Sequence, residues 1–130
     1  MEDQNMRTIL IADDEESIRT LLKRVLKNRC EKVITAKDGY EALQQYQFAK
    51  DIIDLVITDY NMPTMNGQQL IQEIRQTQTR HTPIILITAN TLTSQQAQNI
   101  NADEILTKPF QLSTLYQTIK KYEKQTNRKD

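Results

Sequence analysis

Short, continuous apolar runs alternate along the chain with longer stretches in which apolar residues are spaced three or four apart. A run without polar alternation is typical of a strand that is buried on both faces, as in parallel sheets. Such runs predict five strands, at residues 9–12, 33–34, 55–57, 84–87 and 105–106.

The stretches between these runs have the periodicity of amphipathic helices. The first has apolar residues at Ile18, Leu21, Leu22, Val25 and Leu26, which we expect to face the core. Further helices are predicted around residues 42–46, 70–74, 93–99 and 112–119, of which the fourth has the weakest pattern. Strands that alternate with helices predict βαβ units, hence a parallel sheet between two helical layers with right-handed crossovers.

Length and charge narrow the class of protein. The 130 residues fit one domain, and 17 basic residues balance 17 acidic ones. A net charge of zero argues against a general nucleic-acid binder or a polybasic membrane-surface protein. No apolar run is long enough to span a bilayer. The single cysteine, Cys30, has no internal partner and suits a reducing compartment, so we expect a cytoplasmic protein without nucleic-acid or membrane partners.

Charged and polar residues follow four of the predicted strands. Asp13 and Asp14 follow the first strand, Asp59 the third, Thr88 the fourth and Lys108 the fifth. In open α/β sheets the functional crevice lies at the carboxyl ends of the strands. We therefore expect these side chains to meet at one edge of the sheet.

This combination of groups suits phosphoryl transfer. Clustered carboxylates repel one another, and a hard cation such as Mg²⁺ relieves that repulsion. A lysine and a threonine hydroxyl can hold the oxygens of a phosphoryl group, and catalysis of its transfer is mostly positioning and charge neutralisation. Asp59 is the lone acid at the end of a central strand. It is therefore the best candidate for a nucleophile that becomes an aspartyl phosphate.

In their order and spacing these motifs resemble the receiver domains of the two-component response-regulator family. The resemblance rests on Asp13-Asp14, on the segment 59–67 (DYNMPTMNG), on Thr88-Ala89 and on Lys108-Pro109-Phe110. It covers roughly residues 7–122. It implies a flavodoxin-like (βα)5 three-layer sandwich whose five-stranded parallel sheet has the order 2-1-3-4-5. We expect a receiver domain at residues 1–123 and a polar C-terminal tail at residues 124–130.

The resemblance also implies a Mg²⁺ site. Asp59 matches the phosphoacceptor of the family. Asp14 and Asp59 match direct metal ligands, and Asp13 matches a ligand that acts through a metal-bound water. Asn61 matches the position whose backbone carbonyl completes the site, so its main chain is expected to matter more than its side chain.

Two further positions carry the implied switch. Lys108 matches the lysine that pairs with the acids at rest and with the phosphoryl group afterwards, and Thr88 matches the switch hydroxyl. The implied function is that of a phosphorelay switch that takes a phosphoryl group from a phosphohistidine and then changes its binding to a downstream protein. The donor is a sensor histidine kinase or a phosphotransfer protein. Such a domain catalyses only its own phosphorylation and dephosphorylation, so we do not class it as an enzyme.

The chain departs from the family pattern at two positions. Ile105 stands where the family usually has an aromatic switch residue, and Asn101 stands at a turn position that is commonly glycine. Asparagine tolerates left-handed backbone, so that turn is expected to survive. The Lys108–Pro109 bond matches one that is usually cis in the family. His81 has no second ligand near it in sequence, and we interpret it as a surface residue.

Several alternative functions remain open from the sequence. An aspartate-nucleophile, Mg²⁺-dependent phosphatase uses similar groups, but it begins with an Asp-x-Asp motif, whereas position 15 here is Glu15. A receiver used only for docking would normally have lost an aspartate or the lysine. A flavodoxin would need a phosphate-binding loop after the first strand. The chain also fits a receiver module excised from a larger regulator or hybrid kinase as well as a stand-alone protein.

Overall fold

A computed structural model of the chain describes residues 6–89 and 92–127, with only the backbone described for 124–127. The strands are β1 Met6–Ala12, β2 Cys30–Ala36, β3 Ile53–Asp59, β4 Ile84–Thr88 and β5 Glu104–Thr107. The helices are α1 Glu16–Leu26, α2 Gly39–Ala49, α3 Gly67–Thr77, α4 Ser94–Ile100 and α5 Leu112–Asn127. Each predicted strand and helix is present, and most strands extend beyond the apolar run that predicts them.

The five strands form one parallel sheet in the order β2-β1-β3-β4-β5, which confirms the implied flavodoxin-like order. β3 is central, and all seven of its residues are buried. Ala12 of β1 pairs in register with Thr58 of β3, and Asp59 pairs with Ile87 of β4. The carboxyl ends of β1, β3 and β4 therefore lie side by side at one edge of the sheet.

The sheet separates two apolar cores. One core packs α1 and α5 against one face, through Leu22, Leu26, Leu115 and Ile119. The other packs α2, α3 and α4 against the opposite face, through residues that include Ala42, Tyr46, Leu70, Ile74 and Ile100. This is the predicted three-layer sandwich.

Polar residues fix the ends of the helices on the second face. The Asp38 side chain caps the start of α2. Asn66 and Gln69 form a capping box at α3, and Thr93 begins the same arrangement at α4. Asn101 ends α4 in the left-handed conformation with φ of 67°, as expected from its tolerance of that region. Among the helices described here, none has both the length and the apolar character needed to cross a membrane.

Both glycines of the chain lie where another backbone approaches too closely for a side chain. A β-carbon at Gly39 would overlap the carbonyl oxygen of Met65, and one at Gly67 would overlap the carbonyl oxygen of Asp59. Gly67 also donates its N–H to the carbonyl of Tyr60 at 2.8 Å. The start of α3 is thereby held directly against the end of β3, which positions Asp59.

The structure corrects the sequence interpretation at the surface of α1. Leu21 is predicted to face the core, but it is 43% exposed because it lies at the edge of the apolar stripe of α1. Residues 124–127, which belong to the predicted polar tail, continue helix α5 to Asn127. Glu123 is buried and forms an ion pair with Arg29 at 3.2 Å, which anchors the last turns of α5 to the end of α1. Residues 128–130 lie outside the described residues.

Candidate active site

Three carboxylates meet at the carboxyl edge of the sheet. Oxygens of Asp13, Asp14 and Asp59 all lie within 4.8 Å of one another. Asp13 and Asp59 are buried, whereas Asp14 is exposed. The strand register alone brings these groups together, as predicted, because β1 and β3 are neighbours and end at the same level.

Hydrogen bonds from α1 hold the first of these acids. Oδ1 of Asp13 accepts the backbone N–H of Glu15 at 2.9 Å. The carbonyl oxygen of Asp13 accepts Nη1 of Arg19 at 2.8 Å. The sequence reasoning missed Arg19, because a half-buried arginine one turn into a helix gives no distinguishing signal. Its contact fixes the main chain of the acidic turn through a carbonyl oxygen and not through a carboxylate.

Lys108 supplies the positive charge that faces the acids. Its Nζ lies 3.2 Å from Oδ1 of Asp59, and its backbone N–H donates to the carbonyl of Thr88 at 2.8 Å. The peptide bond to Pro109 is cis, as the resemblance implied. The lysine is thereby fixed both through its backbone and through its side chain.

Burial and like charges make the two buried acids harder to ionise. Desolvation raises the pKa of Asp59, and the charge of Asp14 adds to this, although the hydrogen bond from Lys108 opposes it. Desolvation likewise raises the pKa of Asp13, and the charges of Asp59 and Asp14 add to this, although the backbone hydrogen bond from Glu15 and the charge of Lys108 oppose it. An acidic cluster of this kind carries an electrostatic cost that a cation relieves.

The neighbouring acids favour the charged form of Lys108. Burial by itself lowers the pKa of Lys108, but the hydrogen bond and charge of Asp59, together with Asp13 and Glu15, raise it overall above its ordinary value of 10.5. Lys108 is therefore a permanent cation at neutral pH. It neutralises part of the charge of the cluster and leaves a net negative site.

The other two predicted site residues lie around this cluster. Thr88 is buried at the end of β4, one residue beyond the Ile87 that pairs with Asp59. Asn61 is exposed, two residues after Asp59, in the loop that leads to α3. All six predicted positions thus lie at the carboxyl edge of the sheet or in the loops that leave it.

The donor set fits a magnesium ion. Mg²⁺ prefers oxygen ligands and usually takes one or two carboxylates, with waters and phosphate oxygens completing its shell. Asp13, Asp14 and Asp59 each supply carboxylate oxygens to the cluster. Soft thiolate ligands are absent from this cluster, since Cys30, the one cysteine of the chain, lies at the start of β2. The carboxylate cluster therefore has the chemistry of a hard-cation site.

An apolar groove adjoins the acidic cluster. A cavity of about 500 Å³ lies between α1 and the segment that joins β5 to α5. Asp13 and Lys108 form its polar end, and its apolar walls include Ile18, Leu21 and Phe110. The exposed position of Leu21 thus belongs to a surface that leads directly to Lys108.

Comparison with known proteins assigns this arrangement to a family. The model of the response regulator receiver domain matches residues 9–120. Response regulator RR06 of Streptococcus pneumoniae is 38% identical over 115 residues, which are 86% of this chain and 51% of that protein. The sensor histidine kinase RcsC of Salmonella typhimurium is 37% identical over 116 residues, which are 88% of this chain and 12% of that protein. The chain thus spans about half the length, or less, of these relatives.

A solved structure with the same fold holds a ligand. The response regulator TrrA of Thermotoga maritima, in complex with Mg²⁺–BeF, superposes with a TM-score of 0.77 at 36% identity. The match covers 90% of this chain and 99% of that one. The fold, the acidic cluster and the family match agree, and the chain belongs to the response regulator receiver domain family of two-component systems.

Proposed function

We propose that Asp59 is the phosphoacceptor of this receiver. A carboxylate oxygen of Asp59 attacks the phosphorus of a phosphohistidine, the phosphorus–nitrogen bond breaks, and the imidazole leaves with the bonding electron pair. The products are an aspartyl phosphate and a histidine whose imidazole leaves neutral if its other ring nitrogen carries a proton, and otherwise takes a proton from water at the leaving nitrogen. The observation that carries this proposal is the position of Asp59, buried at the end of the central strand and 3.2 Å from Lys108.

The surrounding residues are suited to neutralising the incoming charge. Asp13, Asp14 and Asp59 would hold Mg²⁺, which supplies positive charge to the phosphoryl oxygens when it is bound. Asn61 would add its backbone carbonyl to that shell. Lys108 would move its contact from Asp59 to a phosphoryl oxygen, since its side chain is partly exposed and its ammonium group lies 3.2 Å from that carboxylate. Lys108 and the bound ion would thereby place two cations around one transferred group.

Thr88 is proposed to transmit the structural effect of phosphorylation from Asp59 to the rest of the fold. It lies at the end of β4, and its carbonyl accepts the N–H of Lys108 at 2.8 Å. A hydroxyl at this strand end can donate to a phosphoryl oxygen at its neighbour β3. Because Thr88 also pairs with Thr107 of β5, a displacement at Thr88 reaches β5 through the ladder.

The apolar groove beside Lys108 is proposed as the docking site of the phosphohistidine donor. The phosphohistidine of a donor protein can reach Asp59 only if the donor binds the domain next to the acidic crevice. The walls formed by Ile18, Leu21 and Phe110 are apolar, while the polar end carries Asp13 and Lys108. A helix of a sensor kinase or phosphotransfer protein, with its histidine at one end of an apolar stripe, fits this surface.

The domain is proposed to act as a switch and not as a turnover enzyme. The receiver module, which we place at residues 1–123 with the last helical turn beyond it, carries the complete acidic site. Its downstream protein is recognised by whichever surface changes on phosphorylation. As the matched segments make up only 51% and 12% of these relatives, the module is proposed to work either alone or as part of a larger regulator or kinase.

Incubation with acetyl phosphate and Mg²⁺ tests this function against that of a phosphatase. A switch is expected to accumulate at most one phosphoryl group per chain on the protein and to hydrolyse a chromogenic phosphate ester no faster than its Asp59→Asn variant. Sustained turnover of the ester that disappears in Asp59→Asn would identify a phosphatase instead. Labelling and ester hydrolysis are measured on the same protein samples. Circular dichroism of those samples checks that the Asp59→Asn variant is folded.

A further inference from the structure

Helix α2 has an exposed face that the acidic site does not explain. The buried side of the helix contributes Ala42 and Tyr46 to the core. On the opposite side, Tyr40 is 57% exposed and Phe48 is 92% exposed, with the exposed Gln44 between them. These three residues are four apart, so they form one stripe along the helix. An aromatic ring that is almost wholly in water, aligned with a second ring, marks an interaction surface.

We propose that this face of α2 binds the same face of a second copy of the chain, with the two helices antiparallel. The stripe is symmetric about Gln44, because Tyr40 lies four residues before it and Phe48 four residues after it. A twofold axis through Gln44 places Tyr40 of each copy against Phe48 of the other. The two Gln44 amides then meet at the axis, where each can donate to and accept from its counterpart. Such self-complementarity is what an isologous interface requires.

Charges at the two ends of the helix support the same arrangement. Lys37 lies seven residues before Gln44 and Asp51 lies seven residues after it, and both are exposed. Antiparallel pairing therefore brings Lys37 of one copy towards Asp51 of the other, twice per dimer. Glu41, at the flank of the face, is held by the backbone N–H of Lys37 at 2.7 Å. The backbone carbonyl of Asp51 accepts the side chains of Arg7 and Arg80, which fixes the position of that turn.

The size of the face indicates a weak, reversible dimer. A buried aromatic side chain covers about 150–250 Å², so four rings account for several hundred Å². A stable interface buries about 1,600 Å² in total. Self-association is therefore expected to depend on concentration and to become extensive only in the upper micromolar range or above. The stripe between the two charged ends carries no unpaired charge that would oppose the contact between identical faces.

Sedimentation equilibrium over a range of protein concentrations tests this inference. The unmodified chain is expected to associate to a dimer, and Phe48→Ala is expected to weaken that association at least about tenfold, because each dimer loses two ring pairs. Gln72→Ala is the control, since it truncates an exposed side chain on a different helix, α3, and is expected to leave the dissociation constant unchanged. A chain that stays monomeric up to millimolar concentration would overturn the inference, as would a dimer that Phe48→Ala does not weaken.

Exchange of the end charges tests the orientation of the helices. Asp51→Lys and Lys37→Asp, each alone, put like charges opposite each other and are expected to weaken association. The double variant restores two pairs of opposite charge and is expected to recover it. Loss of association that the double variant does not reverse would contradict the antiparallel arrangement. None of these residues belongs to the acidic site, so phosphorylation by acetyl phosphate provides a check that each variant is folded.

Discussion

The ammonium nitrogen of Lys108 lies 3.2 Å from a carboxylate oxygen of Asp59, at the point where β3 ends in a cluster of three acids. This contact satisfies the buried carboxylate in the unmodified protein and compensates part of the charge of the cluster. It also leaves a cation beside the atom that we propose to be phosphorylated. The ion pair thus stabilises the buried carboxylate in the unmodified protein, and its lysine would partly neutralise the negative charge of the phosphoryl group.

Mg²⁺ is expected to stabilise the unmodified domain. A ligand that binds only the native state adds about 2.7 kcal/mol to the free energy of unfolding at a hundred times its dissociation constant. Thermal melts in millimolar Mg²⁺ and in EDTA measure the effect. Asp14→Ala is expected to remove the shift without unfolding the protein, because Asp14 is exposed. Identical midpoints in Mg²⁺ and EDTA would contradict a metal site at this cluster.

Asp13→Asn is expected to stabilise the metal-free domain at neutral pH. The folded state raises the pKa of Asp13 above its ordinary value of 3.8, so the folded protein binds that proton more tightly than the unfolded chain. The free energy of unfolding therefore falls as pH rises from about 3.8 through the raised pKa, and the loss is complete above it. Asparagine avoids this loss and keeps an oxygen for the N–H of Glu15.

The gain is expected at pH 7 and should vanish well below pH 3.8, where Asp13 is protonated in both the folded and the unfolded chain. Urea unfolding in EDTA at several pH values measures it. Glu31→Gln, at an exposed position of β2, serves as the control and is expected to leave stability unchanged at every pH. An Asp13→Asn variant that is less stable than the parent at pH 7 would show that the acid cluster carries no electrostatic cost.

Lys108→Ala is expected to slow phosphorylation more than it changes metal binding. Loss of one positioned cation or donor at a charged transition state typically costs 10²–10³-fold in rate. The rate of acetyl-phosphate labelling measures this, and Mg²⁺-dependent melts of the same variant measure metal binding. Lys108→Arg keeps the charge but changes its shape, and is expected to recover part of the rate. An unchanged labelling rate in Lys108→Ala would show that the lysine takes no part in phosphorylation.

Ile105 is expected to weaken the conformational response to phosphorylation. It lies in β5, half-buried against the core that α2, α3 and α4 share, and it pairs in register with Leu86. The family commonly has an aromatic ring at this position, whereas isoleucine is stiff at its first torsion and has no ring to move. If the free-energy difference that favours the active over the inactive conformation falls by about 1.4 kcal/mol, the ratio of the two populations falls tenfold.

Amide chemical shifts of the free and the beryllofluoride-bound protein compare the two states. We expect small shifts over residues 92–120 in the parent chain and larger ones in Ile105→Tyr, with similar shifts around Asp59 in both. Large shifts across that region in the parent, unchanged by Ile105→Tyr, would contradict a role for this position in coupling.

Periodicity predicts the framework of this fold because a parallel sheet buries its strands on both faces. The five apolar runs identify the strands, and the polar residues that follow them identify the acidic edge. The carboxyl ends meet because the register of β1, β3 and β4 aligns them. The site is therefore predictable from local sequence once the topology is known, and the topology here came from the family resemblance.

Features that depend on distant contacts could not be read from local sequence. The side chain of Arg19 reaches the carbonyl of Asp13. His81 is exposed, as predicted, and its ring nitrogen lies 2.7 Å from a carboxylate oxygen of Asp103, a contact that the sequence does not indicate. Thr64 adopts a left-handed backbone with φ of 65°, although a β-branched residue disfavours it and nothing in the local pattern indicates it. Arg29 likewise pairs with Glu123, which lies 94 positions away near the end of α5.

The position of the modified residue tests the central claim most directly. The chain is labelled with acetyl phosphate and Mg²⁺, the acyl phosphate is trapped by reduction with borohydride, and the modified peptide is mapped by mass spectrometry. The proposed function predicts modification at Asp59 alone and none in Asp59→Asn, while Asp51→Asn, at an exposed position outside the cluster, is labelled like the parent. Labelling of Asp59→Asn at the rate of the parent, or mapping of the phosphoryl group to Asp13 or Asp14 in the parent chain, would contradict it.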